Sequence, residues 1–172
     1  MNGFTFIIGG ARSGKSAFAL GLADSLPDKK KIYVATAKAV DAEMAQRIRL
    51  HKEARGPGWR TIEEQIDIAS EIQTAGSESV VLFDCLTLWL SNLMEASLSD
   101  AAILAKASDF AEACKASNSK IIAVSNEVGL SIVPDNALAR RFRDLAGTVN
   151  QITASAASKV FFIAAGLPLK LK

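Results

Sequence analysis

Cysteine is scarce in this sequence. Its two copies, Cys85 and Cys114, are too few for a disulfide framework and lack the spacing of a metal-ligand set, which favours a reducing compartment and argues against a structural zinc site. Long apolar runs are also missing: even the segment from Val80 to Leu93 is broken by Asp84, Thr87, Ser91 and Asn92. The run Phe4-Thr5-Phe6-Ile7-Ile8 has no basic flank and too few apolar residues for a signal-peptide core. A soluble, cytoplasmic protein without stable membrane insertion is therefore expected. Glycine and proline number only 11 and 4, which excludes a collagen-like or disordered chain. No charge of one sign dominates, since 20 basic residues face 18 acidic ones, so a dedicated nucleic-acid binder is not expected. What is present is a chain of 172 residues, 49% hydrophobic, read as one domain over residues 1–172 that buries about 70% of its unfolded-state surface.

Short runs that are apolar nearly throughout recur at Phe4–Ile8, Lys31–Thr36, Ser79–Phe83, Lys120–Ser125 and Lys159–Ala164. Strands covered on both faces have this composition. Between them lie helical segments at Lys15–Ser25, Val40–Ala54, Glu63–Ala75, Asp100–Ala116 (capped by Ser99) and Asp135–Ala157, with a further helix beginning near Leu86. The alternation predicts an α/β fold: a P-loop NTPase-like, mostly parallel sheet with helices on both faces. The tail Leu167-Pro168-Leu169-Lys170-Leu171-Lys172 can return as an antiparallel C-terminal edge strand blunted by lysines. Arg55-Gly56-Pro57-Gly58-Trp59 reads as a loop.

Gly9-Gly10-Ala11-Arg12-Ser13-Gly14-Lys15-Ser16 fits G-x-x-x-x-G-K-[ST] between a predicted strand and a predicted helix. Glycines let backbone N–H groups turn toward phosphate oxygens, the helix N-terminus adds a favourable dipole, Lys15 reaches the β/γ-phosphates and Ser16 can ligate Mg2+. Such sites take a second acid from the end of a neighbouring strand, and Val80-Val81-Leu82-Phe83-Asp84 ends with one, so Asp84 is the other candidate metal ligand. It can equally cap the helix that follows. The N-K-x-D motif of guanine-specific switches is absent, and Asp144-Leu145-Ala146-Gly147 matches D-x-x-G inside a predicted helix. A small-molecule transferase is the reading that remains.

His51 is the single histidine, in Arg47-Ile48-Arg49-Leu50-His51-Lys52-Glu53-Ala54-Arg55. On a helix Arg47, His51 and Arg55 share a face, and Val40, Met44 and Ile48 form the adjacent apolar stripe, expected to face the sheet. Neighbouring cations favour the neutral, nucleophilic imidazole and gather phosphates. A solvated basic face paired with Glu43 and Glu53 accounts for the same pattern.

Four blocks together resemble the bifunctional adenosylcobinamide kinase and adenosylcobinamide-phosphate guanylyltransferase family of cobalamin biosynthesis. They are the Gly9–Ser16 loop, Tyr33-Val34-Ala35-Thr36-Ala37 with Glu43-Met44 and Arg47-Ile48-Arg49-Leu50-His51-Lys52, then Trp59-Arg60-Thr61-Ile62-Glu63. The most specific is Ser125-Asn126-Glu127-Val128-Gly129-Leu130-Ser131-Ile132-Val133-Pro134 with Asn136, Leu138, Arg140, Phe142-Arg143-Asp144-Leu145-Ala146-Gly147 and Asn150-Gln151.

The resemblance implies phosphorylation of the aminopropanol hydroxyl of adenosylcobinamide by ATP or GTP, then transfer of GMP from GTP onto that phosphate through a GMP-histidine. It implies Lys15 and His51 as catalytic residues, His51 carrying GMP. It implies nucleotide contacts at Gly9, Gly10, Ala11, Arg12, Ser13, Gly14, Lys15 and Ser16, at Ala35, Thr36 and Ala37, at Lys52, Glu53, Ala54 and Arg55, and at Glu63 and Asp84. Two departures stand out: Leu50 occupies a position where the family commonly has a second histidine, and Asp84 one where it commonly has glutamate. A homo-oligomer, specifically a trimer, is implied as well. Trp59, Trp89, Leu86, Leu88, Leu90, Leu93 and Met94 supply more apolar surface than one helix face buries in a single sheet packing. Two other readings of the same residues are a plain P-loop metabolite kinase with His51 as a bystander, and a nucleotide-dependent regulatory protein without turnover.

Overall fold

The structure, a computed structural model, describes residues 3–26, 30–39 and 42–172. In chain order the elements are β1 (Phe4–Gly9), α1 (Lys15–Asp24), β2 (Lys30–Ala35), α2 (Ala42–Arg55), β3 (Trp59–Glu63), α3 (Ser70–Thr74), β4 (Ser79–Asp84), α4 (Leu86–Glu95), α5 (Asp100–Ala116), β5 (Lys120–Asn126), α6 (Ala137–Ala156), β6 (Lys159–Ala164) and β7 (Leu167–Lys170). They build one seven-stranded sheet in the order β3-β2-β4-β5-β1-β6-β7. All pairings are parallel except β6 with β7. The P-loop-like parallel sheet with an antiparallel C-terminal edge is thus as expected.

The central strands alternate their side chains between two apolar clusters, as a period of two requires. Phe4, Phe6, Val81, Phe83, Ile121 and Ala123 pack with α4, α5 and α6 on one face, and Ile7, Val80, Leu82, Ile122 and Val124 pack with α1 on the other. Both faces are covered, which is why these strands read as continuous apolar runs. At the centre of the thicker layer Phe110 meets Phe83 edge-on at 5.0 Å and Trp89 at 6.0 Å. Phe110 is wholly buried, so Phe110→Ala is expected to cost about 3–5 kcal/mol. A urea midpoint within error of wild type would contradict this packing.

The cap predicted at Ser99 holds: Ser99 Oγ accepts from Ala102 N at 3.3 Å, opening α5. Asn136 Oδ1 accepts from Ala139 N at 2.7 Å, which starts α6 at Ala137 rather than Asp135. Asp144 to Gly147 lies inside α6, where a switch-type loop cannot form.

Three expectations fail. Asp84 does not take the capping position of α4, which falls on Cys85, one residue further along the chain. The helix expected over Glu63–Ala75 shrinks to the five residues of α3, and Glu63 instead ends the edge strand β3, which begins at Trp59. Trp59, Thr61 and Ile62 are aromatic or β-branched and pair with β2, so strand pairing claims the segment. The apolar surplus assigned to an oligomer interface is also misplaced: Leu86, Trp89, Leu90 and Leu93 are buried within the monomer, and Trp59, Leu88 and Met94 are half-buried against its core. The large apolar side chains that are exposed include Leu130, Ile132, Val133 and Leu138 after β5, and Leu167, Leu169 and Leu171 near the C-terminus.

Candidate active site

The carboxyl ends of the strands gather the site. Ala35 at the end of β2 is in register with Glu63 on one side and Asp84 on the other, and Gly9 at the end of β1 is in register with Asn126 of β5. Ligand crevices in open parallel sheets lie at this edge. Strand β5 stands between β1 and β4, so the acid-bearing strand is not the immediate neighbour of the loop-bearing one. The two are about 10 Å apart at roughly 4.8 Å per strand, a gap suited to a cation with phosphate oxygens.

The Gly9–Ser16 loop joins β1 to α1 as the motif requires. Gly14, the residue before α1, has φ 93°, in the left-handed region that favours glycine. Its back is held by the C-terminal hairpin. Ala165 and Gly166, both at positive φ, form the tight turn between β6 and β7, and Gly166 N donates to Ser13 O at 2.8 Å. A Cβ on Gly14 would stand 3.1 Å from Gly166 Cα. Lys15 is buried and its Nζ donates to Gly10 O at 2.9 Å, which keeps the ammonium under the loop.

A cavity of about 290 Å³ opens beside this loop. Lys15, Ser16 and Asp84 line it from the phosphate side, Ala35, Ala37 and Glu63 from the strand ends, and Met44, Ile48, Lys52 and Arg55 from α2. The volume lies just below the range typical of small-ligand pockets, about 300–1,000 Å³.

Of the sequence-predicted residues, Lys15, Ser16, Ala35, Ala37, Lys52, Arg55, Glu63 and Asp84 come together around one space. Others do not line it. Thr36 is wholly buried: its Oγ1 donates to Cys85 O at 2.8 Å and accepts from Cys85 N at 2.9 Å, while its carbonyl accepts from Asn92 Nδ2. It ties the end of β2 to the start of α4. Glu53 is exposed and pairs with Arg49 at 3.8 Å. His51, Arg47 and Ala54 belong to α2, and their side chains fall outside the described residues, as does Val40.

Several lining residues were not anticipated: Tyr33, Thr61, Cys85, Leu88 and Asn126. Tyr33 donates from its hydroxyl to Asp84 Oδ2 at 2.8 Å, and the Arg55 guanidinium carbon stands 3.6 Å from the centre of its ring. Burial, then the charge of Asp84 and the bond to it, push the Tyr33 phenol far above its ordinary range, so it stays a proton donor. Burial, followed by Asp84, also raises the Cys85 thiol, and burial raises Cys114. Neither cysteine is an activated nucleophile. Asn126 donates to Thr87 Oγ1 at 2.8 Å, and its carbonyl accepts from Asn150 Nδ2 at 3.2 Å.

Residues 5–171 match the model of one family, described as cobinamide kinase / cobinamide phosphate guanyltransferase. The chain belongs to that family. The bifunctional adenosylcobalamin biosynthesis protein CobU of Salmonella typhimurium is 38% identical over 96% of this chain and 98% of its own length. The protein of the same name from Escherichia coli is 36% identical over the same shares, and CobP of Pseudomonas aeruginosa is 41% identical over 96% and 95%. One solved structure, of an ATPase domain, aligns at a TM-score of 0.49 and 13% identity over 94% of this chain and 70% of that one. The fold assignment rests on the strand order above instead.

Within the family motif, Asn126 belongs to the block that carries the resemblance most specifically, yet nothing in that block marks it as facing the cavity. Its place follows from its register with Gly9. Thr61 was hidden because β3 was not expected as a strand. Met44 and Ile48 carried a signal, their helical spacing, but these two side chains line the cavity instead of packing on the sheet as expected.

Proposed function

We propose that this protein is a single-domain enzyme over residues 1–172 that phosphorylates adenosylcobinamide with ATP or GTP and then transfers GMP from GTP to the new phosphate, giving adenosylcobinamide-GDP. The observation that carries this reading is that the P-loop residues Lys15 and Ser16 and the basic α2 residues Lys52 and Arg55 line one cavity. In the first step the substrate hydroxyl oxygen attacks the γ-phosphorus and the nucleoside diphosphate leaves. Lys15 and the loop N–H groups take up charge on the transferring and leaving phosphates. In the second, the His51 imidazole attacks the α-phosphorus of GTP and pyrophosphate leaves; the acceptor phosphate then displaces the histidine. The covalent phosphoramidate divides the transfer into two displacements at the α-phosphorus, and the cations lining the cavity offset the anion–anion repulsion in each. His51 lies one turn after Ile48 on the helix whose Met44, Ile48, Lys52 and Arg55 line the cavity, which supports its assignment.

Mg2+ fits the donor set. Ser16 and Asp84 offer a hydroxyl and a carboxylate, hard oxygen ligands of the kind Mg2+ shares with nucleotide phosphates. Among the described residues no group of three or more His, Cys, Asp or Glu is placed to hold a metal. When bound, the ion neutralises phosphate charge. Asp84→Asn is therefore expected to slow phosphoryl transfer with a defect that shrinks as Mg2+ is raised. A loss independent of Mg2+ assigns Asp84 a structural role in the fold instead.

The adenosylcobinamide ring system is too large for a cavity of this volume, so the corrinoid sits at its mouth with the aminopropanol arm reaching in. No helix among the described residues is long and apolar enough to cross a membrane; action in the cytoplasm is part of the proposal. So is a trimer, now supported by the exposed Leu130, Ile132, Val133 and Leu138 rather than by α4. Sedimentation at micromolar protein tests it: a fully active monomer removes the claim.

The decisive experiment is labelling with [α-³²P]GTP and, separately, [γ-³²P]GTP. Acid-labile, alkali-stable α-label retained on the protein is expected. A protein that phosphorylates cobinamide but never retains α-label is a kinase alone.

A further inference from the structure

Helix α2 is held to the body of the protein in an unusual way. Its described residues are exposed or half-buried with one exception, Arg55 at its C-terminal end, which is 9% exposed. Among its described residues the helix therefore has no wholly buried apolar side chain of the kind by which α5 and α6 dock; Met44 and Ile48 line the cavity, and the one buried side chain is charged. Its guanidinium carbon stands over the Tyr33 ring, 3.6 Å from the ring centre, and its Nη2 donates to Thr61 Oγ1 at 3.3 Å on β3. The ring is itself fixed: Tyr33 is 4% exposed on β2, and Trp59 stands edge-on to it at 6.2 Å. The Tyr33 hydroxyl, at the far end of that ring, donates to Asp84 Oδ2 at 2.8 Å across to β4. One residue thus touches both the helix that carries His51 and the acid at the phosphoryl-transfer end of the cavity.

We propose that Tyr33 is a positioning residue with two separable tasks: its hydroxyl orients the Asp84 carboxylate, and its ring face seats Arg55 and so sets α2 over the cavity. The inference rests on the functional reading above, in which Asp84 serves the metal-nucleotide and α2 serves nucleotidyl transfer. A carboxylate with one oxygen engaged by a buried phenol has a restricted rotamer, so its other oxygen keeps a constant direction. A planar guanidinium stacked on an aromatic face is likewise held in orientation as well as place, which an ammonium cannot reproduce.

Three variants separate the tasks. Tyr33→Phe keeps the ring and removes the hydroxyl, Tyr33→Leu removes both, and Arg55→Lys keeps the charge and removes the stack. The readouts are Mn2+ affinity of the protein loaded with a non-hydrolysable GTP analogue, followed by electron paramagnetic resonance, and the yield of α-label from [α-³²P]GTP. Thermal melting monitors the fold. Tyr33→Phe is expected to weaken Mn2+ binding about tenfold or more, with a smaller effect on label yield. Tyr33→Leu should show the same metal defect and a label yield about tenfold below that of the Phe variant. Arg55→Lys should lower label yield more than metal affinity. Equal Mn2+ affinity in wild type and Tyr33→Phe overturns the first task, and equal label yield in Tyr33→Phe and Tyr33→Leu overturns the second. Parallel losses in both readouts that follow the melting temperature reduce Tyr33 to a structural residue and overturn both. Failure of the functional reading shows elsewhere, as wild-type protein that takes no α-label, while the metal measurement still decides the hydroxyl's role.

Discussion

His51→Ala is expected to eliminate the α-labelled adduct and the guanylyl transfer that depends on it, a fall of about 10³-fold or more for loss of a covalent nucleophile, while kinase turnover persists. The reason is chemical. Phosphoryl transfer to a hydroxyl is a direct in-line displacement, for which the cavity supplies cations and orientation but no covalent partner. Nucleotidyl transfer onto a phosphate uses the imidazole as the atom that bonds to phosphorus. Alanine is the better helix former, so α2 persists and the lost activity reports chemistry rather than unfolding. Acid-labile α-label retained by His51→Ala would move the nucleophile to another residue and return this stretch of α2 to a solvated basic face.

Lys15→Ala is expected to act on both reactions. Lys15 is buried beneath the loop, bonded to Gly10 O, and it lines the same cavity as Lys52 and Arg55. A triphosphate in that cavity places its β- and γ-phosphates by Lys15 whichever phosphorus is attacked, so removing the charge should lower kinase turnover by about 10²–10³-fold or more and depress adduct formation with it. Loss of the charged Gly10 bond costs about 1.5–3 kcal/mol of stability, less than the roughly 5–15 kcal/mol that holds a typical domain folded. Unchanged kinase turnover in Lys15→Ala would remove the P-loop assignment. The pair of variants is diagnostic because His51→Ala divides the activities and Lys15→Ala does not.

Local order along the chain specifies the layered sheet, the phosphate loop, the strand-end acid and the basic helix. A strand buried on both faces reads as an apolar run, a loop that cradles phosphate needs its glycines and lysine at fixed spacing, and caps such as Ser99 act within one turn. It also carried the family, because those blocks span nearly the whole chain. Only the tertiary structure decided what meets what. The sheet order inserts β5 between β1 and β4 and so brings Asn126 to the cavity. Edge pairing with β2 made a strand of Trp59–Glu63 and set Glu63 beside Ala35. Thr36 sits within a nucleotide-contact block by motif, yet it is sealed by Cys85 and Asn92, partners 49 and 56 residues away in the chain. Tyr33 gave no local sign of its role, because its two partners, Arg55 and Asp84, come from different elements and meet it only once β2 lies between β3 and β4. Local periodicity records which face of an element is apolar; which polar groups come within hydrogen-bonding reach of one another is set by the order in which the strands pair.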